Sequence, residues 1–142
     1  MLKVLRLTGA DIKAALEQCA SVFALNKNGE IDFSVNVYPN TIQSYVYDFW
    51  GGLDYEFSID QPVGQRVTKL LFQGQPVTST MTFNVAMNSY RATGAEFPMF
   101  QHKPVVYSSL DILPEIIRKF IKQHSPLPRY KHGQFQVTMT NK

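Results

Sequence analysis

The sequence has little cysteine, little charge and no long apolar run. Its 142 residues contain one cysteine, Cys19, which excludes an internal disulfide and a zinc site built from several cysteines. No stretch approaches the ~18 apolar residues of a membrane helix, so we expect no membrane span. Residues 1–7 lack the layout of a signal peptide. The chain is therefore either cytoplasmic or a piece of a longer protein whose leader lies elsewhere.

Recognisable catalytic motifs are also missing. The three histidines, His102, His124 and His132, each stand alone, without the clustered His and Asp ligands of hydrolytic metal sites. Neither a Gly-x-Ser-x-Gly elbow nor a phosphate-binding glycine loop occurs. Cys19 falls on the apolar stripe of a predicted helix, which favours a small core residue over a nucleophile. The residues alone do not predict a self-sufficient enzyme.

What the chain does contain fits one globular domain with a real core. Hydrophobic residues make up 44% of it, and aromatic residues a rather high 13%. The net charge of +3 is unevenly spread, because residues 101–142 hold seven Lys or Arg against two acidic residues. Such basicity could suit an anionic ligand or nucleic acid. A solvated helix face followed by a basic tail is the simpler interpretation.

Hydrophobic periodicity predicts an α+β fold in a single domain, 1–142. Residues 2–7 alternate like a strand, and Thr8 with Asp11 resembles a capping box that opens a helix to about residue 24. Pro114 is tolerable only in the first turn of a second helix, which we expect to begin between Ser108 and Asp111. Residues 30–60 look extended. The predicted mostly antiparallel or mixed sheet, covered by helices, also uses strands at 53–57, 66–72, 82–87 and 134–139.

Two aromatic segments are candidates for a ligand site. Residues 88–98 place Tyr90, Arg91 and Glu96 around Gly94, a residue that permits a tight turn. An aromatic face can stack on a nucleobase, and an acid beside it can accept hydrogen bonds from sugar hydroxyls or a base amine. Residues 45–52 could supply the opposite wall. For both segments the alternative is that the rings simply fill the core.

At these segments the sequence resembles a known family. The stretches 5–18, 47–55, 61–67 and 88–94, in this order, resemble the C-terminal, substrate-binding domain of the 5′-nucleotidase family. Within it the chain is most similar to the bacterial 2′,3′-cyclic-nucleotide 2′-phosphodiesterase/3′-nucleotidase branch. The resemblance covers about residues 2–124. It implies that the chain is an N-terminally truncated domain of a longer hydrolase.

The resemblance also implies which residues bind substrate. The base would stack between two rings, which correspond by position to Tyr90 and Tyr47, with Phe49 or Tyr45 as alternatives for the second ring. Glu96 and Asn88 would orient the nucleoside. We therefore expect a nucleoside or nucleotide ligand and no catalytic residue in this chain. The substrate-binding residues implied are Tyr47, Tyr90, Glu96, Asn88 and Phe49.

The rest of such an enzyme would lie outside this chain. The family places two divalent metal ions in a separate metallophosphoesterase domain, which would be this domain's partner and would perform the hydrolysis. The resemblance implies an extracellular, cell-wall or periplasmic parent protein, no cofactor in this chain and no hydrolysis by it alone. One alternative is a non-enzymatic nucleoside-binding module. Another, less favoured, is an RNA-binding or structural domain that uses the basic carboxyl-terminal helix.

Overall fold

A computed structural model describes residues 1–38, 44–129 and 133–140. Lys131, His132 and Lys142 lie outside this part of the chain. The helices are α1 Gly9–Ala20, α2 Ser34–Val37, α3 Ser89–Ala92 and α4 Leu113–Gln123, with 3₁₀ turns at Ser44–Val46 and Pro98–Phe100. The strands are β1 Leu2–Thr8, β2 Phe23–Leu25, β3 Ile31–Phe33, β4 Asp54–Ser58, β5 Val67–Phe72, β6 Gln75–Pro76, β7 Thr82–Asn88, β8 Val105–Ser108 and β9 Phe135–Thr138.

The strands of the described residues form three small sheets, which confirms the predicted α+β class. Their orders are β7-β1-β8, β2-β3 and β6-β5-β4-β9. All pairings are antiparallel except that of β4 with β9, so the sheets are antiparallel or mixed. None of the described helices is long and apolar enough to cross a bilayer.

Helix α1 forms for the reasons read from its sequence. The Thr8 hydroxyl accepts a hydrogen bond from the Asp11 amide at 3.2 Å, and the Asp11 carboxylate accepts one from the Thr8 amide at 2.9 Å, a complete capping box. The apolar stripe of the helix, Cys19 included, is buried against β1 and β4. Cys19 is 1% exposed, as a small core residue should be. The core residues at its centre are Leu5, Leu7, Ile12, Leu16, Tyr55, Phe57, Phe97 and Phe100.

The prediction that α1 continues to about residue 24 is wrong. The helix ends at Ala20, and Phe23 begins strand β2. The buried Arg66 explains the early end, because its Nη1 donates to the carbonyl oxygens of Ala20 at 2.9 Å and Phe23 at 2.7 Å. A charged donor thus satisfies the Ala20 carbonyl, which the amide of residue 24 would have bonded in a continuing helix.

Two other predictions need correction: the extended conformation of residues 30–60, and the start of the second helix between Ser108 and Asp111, since α4 begins at Leu113. Residues 30–60 are not uniformly extended, because α2 and a 3₁₀ turn interrupt them. Helix α4 has Pro114 in its first turn as expected, but it has no side-chain cap. Ser108 ends strand β8 instead, and the Asp111 carboxylate pairs with Lys119 at 2.6 Å. The sequence patterns also missed β8.

Candidate nucleoside site

An ion-pair network joins the two aromatic segments. Arg91 Nη2 donates a hydrogen bond to Asp48 Oδ1 at 3.1 Å. Arg91 Nε lies 2.7 Å from Asp48 Oδ2, close enough for an ion pair, but its N–H is not aligned for a hydrogen bond. Arg91 Nη1 lies 3.2 Å from Glu96 Oε2 and donates to the Ala95 carbonyl at 2.8 Å. The guanidinium also lies over the Phe97 ring, 4.3 Å from its centroid. Arg91 is 8% exposed, so folding removes its charge from water. The contacts with Asp48, Glu96, Ala95 and Phe97 compensate this desolvation cost.

The loop that carries this network has a defined backbone. The Asn88 side-chain oxygen accepts from the Arg91 amide at 2.7 Å and so caps α3. Gly94 has φ +85°, and a Cβ there would lie 2.3 Å from the Gln101 Cγ atom and 3.1 Å from its backbone nitrogen. Glu96 has φ +61°, which is unusual for a residue other than glycine. Such conformations concentrate at functional sites.

Tyr90 and Phe97, the two rings of this loop, have opposite environments. Phe97 is fully buried and stacks on Phe100 with centroids 5.4 Å apart, so it does fill the core. Tyr90 is 61% exposed, and its hydroxyl contacts Glu96 Oε1 at 3.5 Å, the outer limit for a hydrogen bond. The Tyr90 ring is therefore available to a ligand, while the buried Phe97 ring packs against the Arg91 guanidinium.

The rings of the other segment also differ from one another. Tyr47 is half-buried, with its hydroxyl enclosed, and its ring packs edge-on against Phe23 and Phe49 at 5.6 and 4.9 Å. Burial raises the pKa of the Tyr47 hydroxyl above its ordinary value. Phe49 and Tyr45 are 72% and 75% exposed. Tyr45 and Phe49 thus present exposed rings, whereas Tyr47, which lies between them in the sequence, packs against the core.

A cavity of about 540 Å³ lies between this segment and β7. Phe49, Asn88, Arg91 and Asp48 are among the residues that line it, so the structure brings two of the five predicted site residues to one cavity. Glu96, a third, reaches it indirectly, through Arg91. Tyr47 instead lines an aromatic groove of about 360 Å³ with Tyr45, Phe23, Phe33, Phe49 and Phe135. Tyr90 is not among the lining residues of either.

The charges of the network determine which part of a ligand it suits. One arginine is matched by the two carboxylates of Asp48 and Glu96, which leaves a local charge of −1. Such a site attracts hydroxyl and amine donors better than a phosphate. Within the described part of the chain, no group of three or more His, Cys, Asp or Glu is placed to hold a metal ion. The network residues therefore do not form a metal centre.

Sequence reasoning missed the roles of Asp48 and Arg91. Their pairing spans 43 residues of chain, which no local spacing reveals. A usable signal did exist, since each of the two aromatic segments contains one residue of the pair, Asp48 in one and Arg91 in the other. The sequence alone could suggest Asp48 as the partner of Arg91, but it could not select Asp48 over the other acidic residues.

The comparisons with known proteins bear on this arrangement. A family model described as the 5′-nucleotidase C-terminal domain matches residues 1–102. The chain belongs to this family. The matched residues include all five predicted site residues as well as Asp48 and Arg91.

Curated relatives agree with this assignment. The chain is similar to the 2′,3′-cyclic-nucleotide 2′-phosphodiesterase/3′-nucleotidase of Haemophilus influenzae, with 30% identity over 87% of this chain and 21% of the relative. It is 26% identical to the protein of the same name from Yersinia enterocolitica, over 94% of this chain and 22% of that protein. The chain thus spans about a fifth of the length of these nucleotidase relatives.

Solved structures show the same fold within longer chains. A Staphylococcus aureus protein assigned as a 5′-nucleotidase and solved with alpha-ketoglutarate superposes with a TM-score of 0.87 at 29% identity, over 97% of this chain and 27% of that one. A 5′-nucleotidase precursor from Thermus thermophilus matches with a TM-score of 0.67 at 20% identity, over all of this chain and 25% of that one, which supports the fold alone.

Proposed function

We propose that this chain is the nucleoside-binding specificity domain of a metal-dependent nucleotidase or cyclic phosphodiesterase. The observation that carries the proposal is the Asp48–Arg91–Glu96 network, which ties the exposed Tyr90 ring to the segment of Phe49 beside a 540 Å³ cavity. In this proposal the base stacks on Tyr90. The opposing ring is Phe49 or Tyr47, and the exposure of Phe49 favours it.

The polar groups of the site have roles consistent with their contacts. Glu96 accepts hydrogen bonds from a sugar hydroxyl or a base amine, and Arg91 holds its carboxylate in place. The Asn88 side-chain oxygen is used by the helix cap, so its NH₂ group is the part offered to the nucleoside. Because the network carries a net negative charge, the phosphate of a nucleotide would lie away from it.

Hydrolysis belongs to another part of the parent protein in this proposal. Two divalent metal ions of a separate metallophosphoesterase domain would activate the attacking water, and this chain would select the substrate. The parent would act on nucleoside 2′,3′-cyclic monophosphates or nucleoside monophosphates outside the cytoplasm. We expect purified chain to show no metal-dependent hydrolysis, which a phosphate-release assay with added Mn²⁺ or Zn²⁺ would check.

Calorimetric titration of adenosine and 3′-AMP into the chain tests nucleoside binding. Base stacking is worth about 1–3 kcal/mol, so Tyr90→Ala should weaken adenosine binding roughly 5- to 150-fold. Tyr90→Phe keeps the ring and should bind within about threefold of wild type, since it loses only a 3.5 Å contact. The control is Tyr107→Ala, which removes an exposed tyrosine of β8 and should change nothing. Unchanged affinity in Tyr90→Ala would contradict stacking on this ring.

The same titration tests the charge argument and the choice of second ring. Adenosine should bind at least as tightly as 3′-AMP if the phosphate finds no cation in the site. Phe49→Ala should weaken adenosine binding more than Tyr47→Ala does, because the Phe49 ring is 72% exposed whereas Tyr47 is half-buried with its hydroxyl enclosed. A much tighter 3′-AMP complex would place the phosphate against a basic group instead.

A further inference from the structure

The carboxyl-terminal part of the chain exposes an extensive apolar surface. None of the residues of α4 is buried, although its apolar side chains recur every three or four residues. Leu110, in the loop before the helix, is 100% exposed, and Ile117 is 50% exposed. We define the C-terminal apolar surface as the exposed residues Val105, Val106, Tyr107, Leu110, Ile112, Ile117 and Ile121.

The same region offers a free strand edge. Strand β8 lies at the end of the order β7-β1-β8, and among the described residues its outer edge pairs with no strand. Exposed edges of this kind present backbone N–H and C=O groups that another strand can satisfy. An apolar surface beside such an edge fits an added strand whose side chains lie against the helix.

We propose that the C-terminal apolar surface docks a strand-forming apolar segment from another part of the nucleotidase polypeptide. The S. aureus structure contains 97% of this fold, including the counterparts of β8 and α4, in a chain almost four times as long. The H. influenzae relative is almost five times as long as the region that matches. Both longer proteins therefore contain additional chain from which such a segment could come.

The charges around α4 argue against a membrane as the occupant. Arg118 and Lys119 are paired with Glu115 and Asp111 at 2.7 and 2.6 Å, so most of the positive charge of the polar face is already matched. Adsorption of a short helix to an anionic bilayer depends on such charge. A bilayer also leaves the backbone groups of the β8 edge without partners.

Hydrogen exchange in a chimera tests the proposal. The matched region of the H. influenzae relative is replaced by this chain, and amide exchange in β8 and α4 is compared with that of the isolated chain. Docking should slow exchange of these amides at least tenfold in the chimera, and Ile117→Glu with Ile121→Glu should restore the faster rates. The matched control is Val63→Glu, an exposed apolar residue elsewhere that is 64% exposed, and it should have no effect.

Every other result counts against the docking segment. Equal exchange rates in chimera and isolated chain would contradict the proposal, as would a chimera that fails to fold around this surface. Slow exchange in the isolated chain that depends on protein concentration would identify a second copy as the occupant. Protection that requires phosphatidylglycerol vesicles would identify a membrane. None of these outcomes depends on nucleoside binding, so the two proposals fail separately.

Discussion

Asp48→Asn removes the charge that holds Arg91 at the centre of the candidate site. The loss of one partner from a fully buried ion pair costs about 3–5 kcal/mol, and a fully exposed pair contributes about 0–1 kcal/mol. The Asp48 side chain is 34% exposed, and Arg91 retains Glu96 as a second partner. We therefore expect a loss of about 1–2 kcal/mol in the free energy of unfolding, between these limits.

Urea denaturation and thermal melting measure this loss. For a domain of this size it corresponds to a decrease in Tm of about 3–8 °C. The matched control is Asp111→Asn, the same chemical change in an ion pair whose side chains are about half exposed, and it should cost less than about 1 kcal/mol. Asp48→Asn should also weaken adenosine binding at a temperature where both proteins are folded. If Asp48→Asn is no more destabilising than Asp111→Asn, the network does not organise the site.

Three further predictions concern single residues. Gly94→Ala should destabilise the fold by about 1–2 kcal/mol, because φ is +85° there and Gln101 is in the way, while Gly51→Ala, with open space around it, should be nearly neutral in the same urea titration. Burial raises the pKa of Asp11, but hydrogen bonds from Lys103 and Thr8 outweigh this effect and hold the pKa below its ordinary value. Lys103→Met should therefore lower stability at pH 7, and the difference from wild type should shrink as the pH falls below about 4; a difference that grows in acid would refute this. Burial raises the pKa of Cys19 to about 11, so at pH 8 only about one thiol in a thousand is ionised, and Ellman's reagent should label the native chain far more slowly than the unfolded chain.

Local signals account for the parts of the fold that sequence predicted well. Thr8 and Asp11 lie three residues apart, and the stripe through Ile12, Leu16 and Cys19 is continuous, so the start and the buried face of α1 could be read directly. The end of α1 could not, because Arg66 defines it from 46 residues away. Periodicity also predicted α4 as amphipathic, but it carries no information on what covers the apolar side of the helix.

The candidate site shows the same division between local and distant information. The exposure of Tyr90 and the burial of Phe97 depend on how residues 90–97 pack, which composition does not determine. Tyr47 and Phe49 are two positions apart, yet one ring turns to the core and the other to the cavity. The family resemblance identifies residues 45–52 as part of the site. The direction of each ring in this segment, however, depends on tertiary contacts with Phe23 and with the Asp48–Arg91–Glu96 network.

The affinity of the chain for adenosine, measured with and without the Tyr90 ring, is the decisive test of base stacking on Tyr90. Wild type and Tyr90→Phe should bind with similar dissociation constants, and Tyr90→Ala should bind roughly 5- to 150-fold more weakly. All three should unfold at similar urea concentrations, because the ring is 61% exposed. Equal affinity in wild type and Tyr90→Ala would contradict the account.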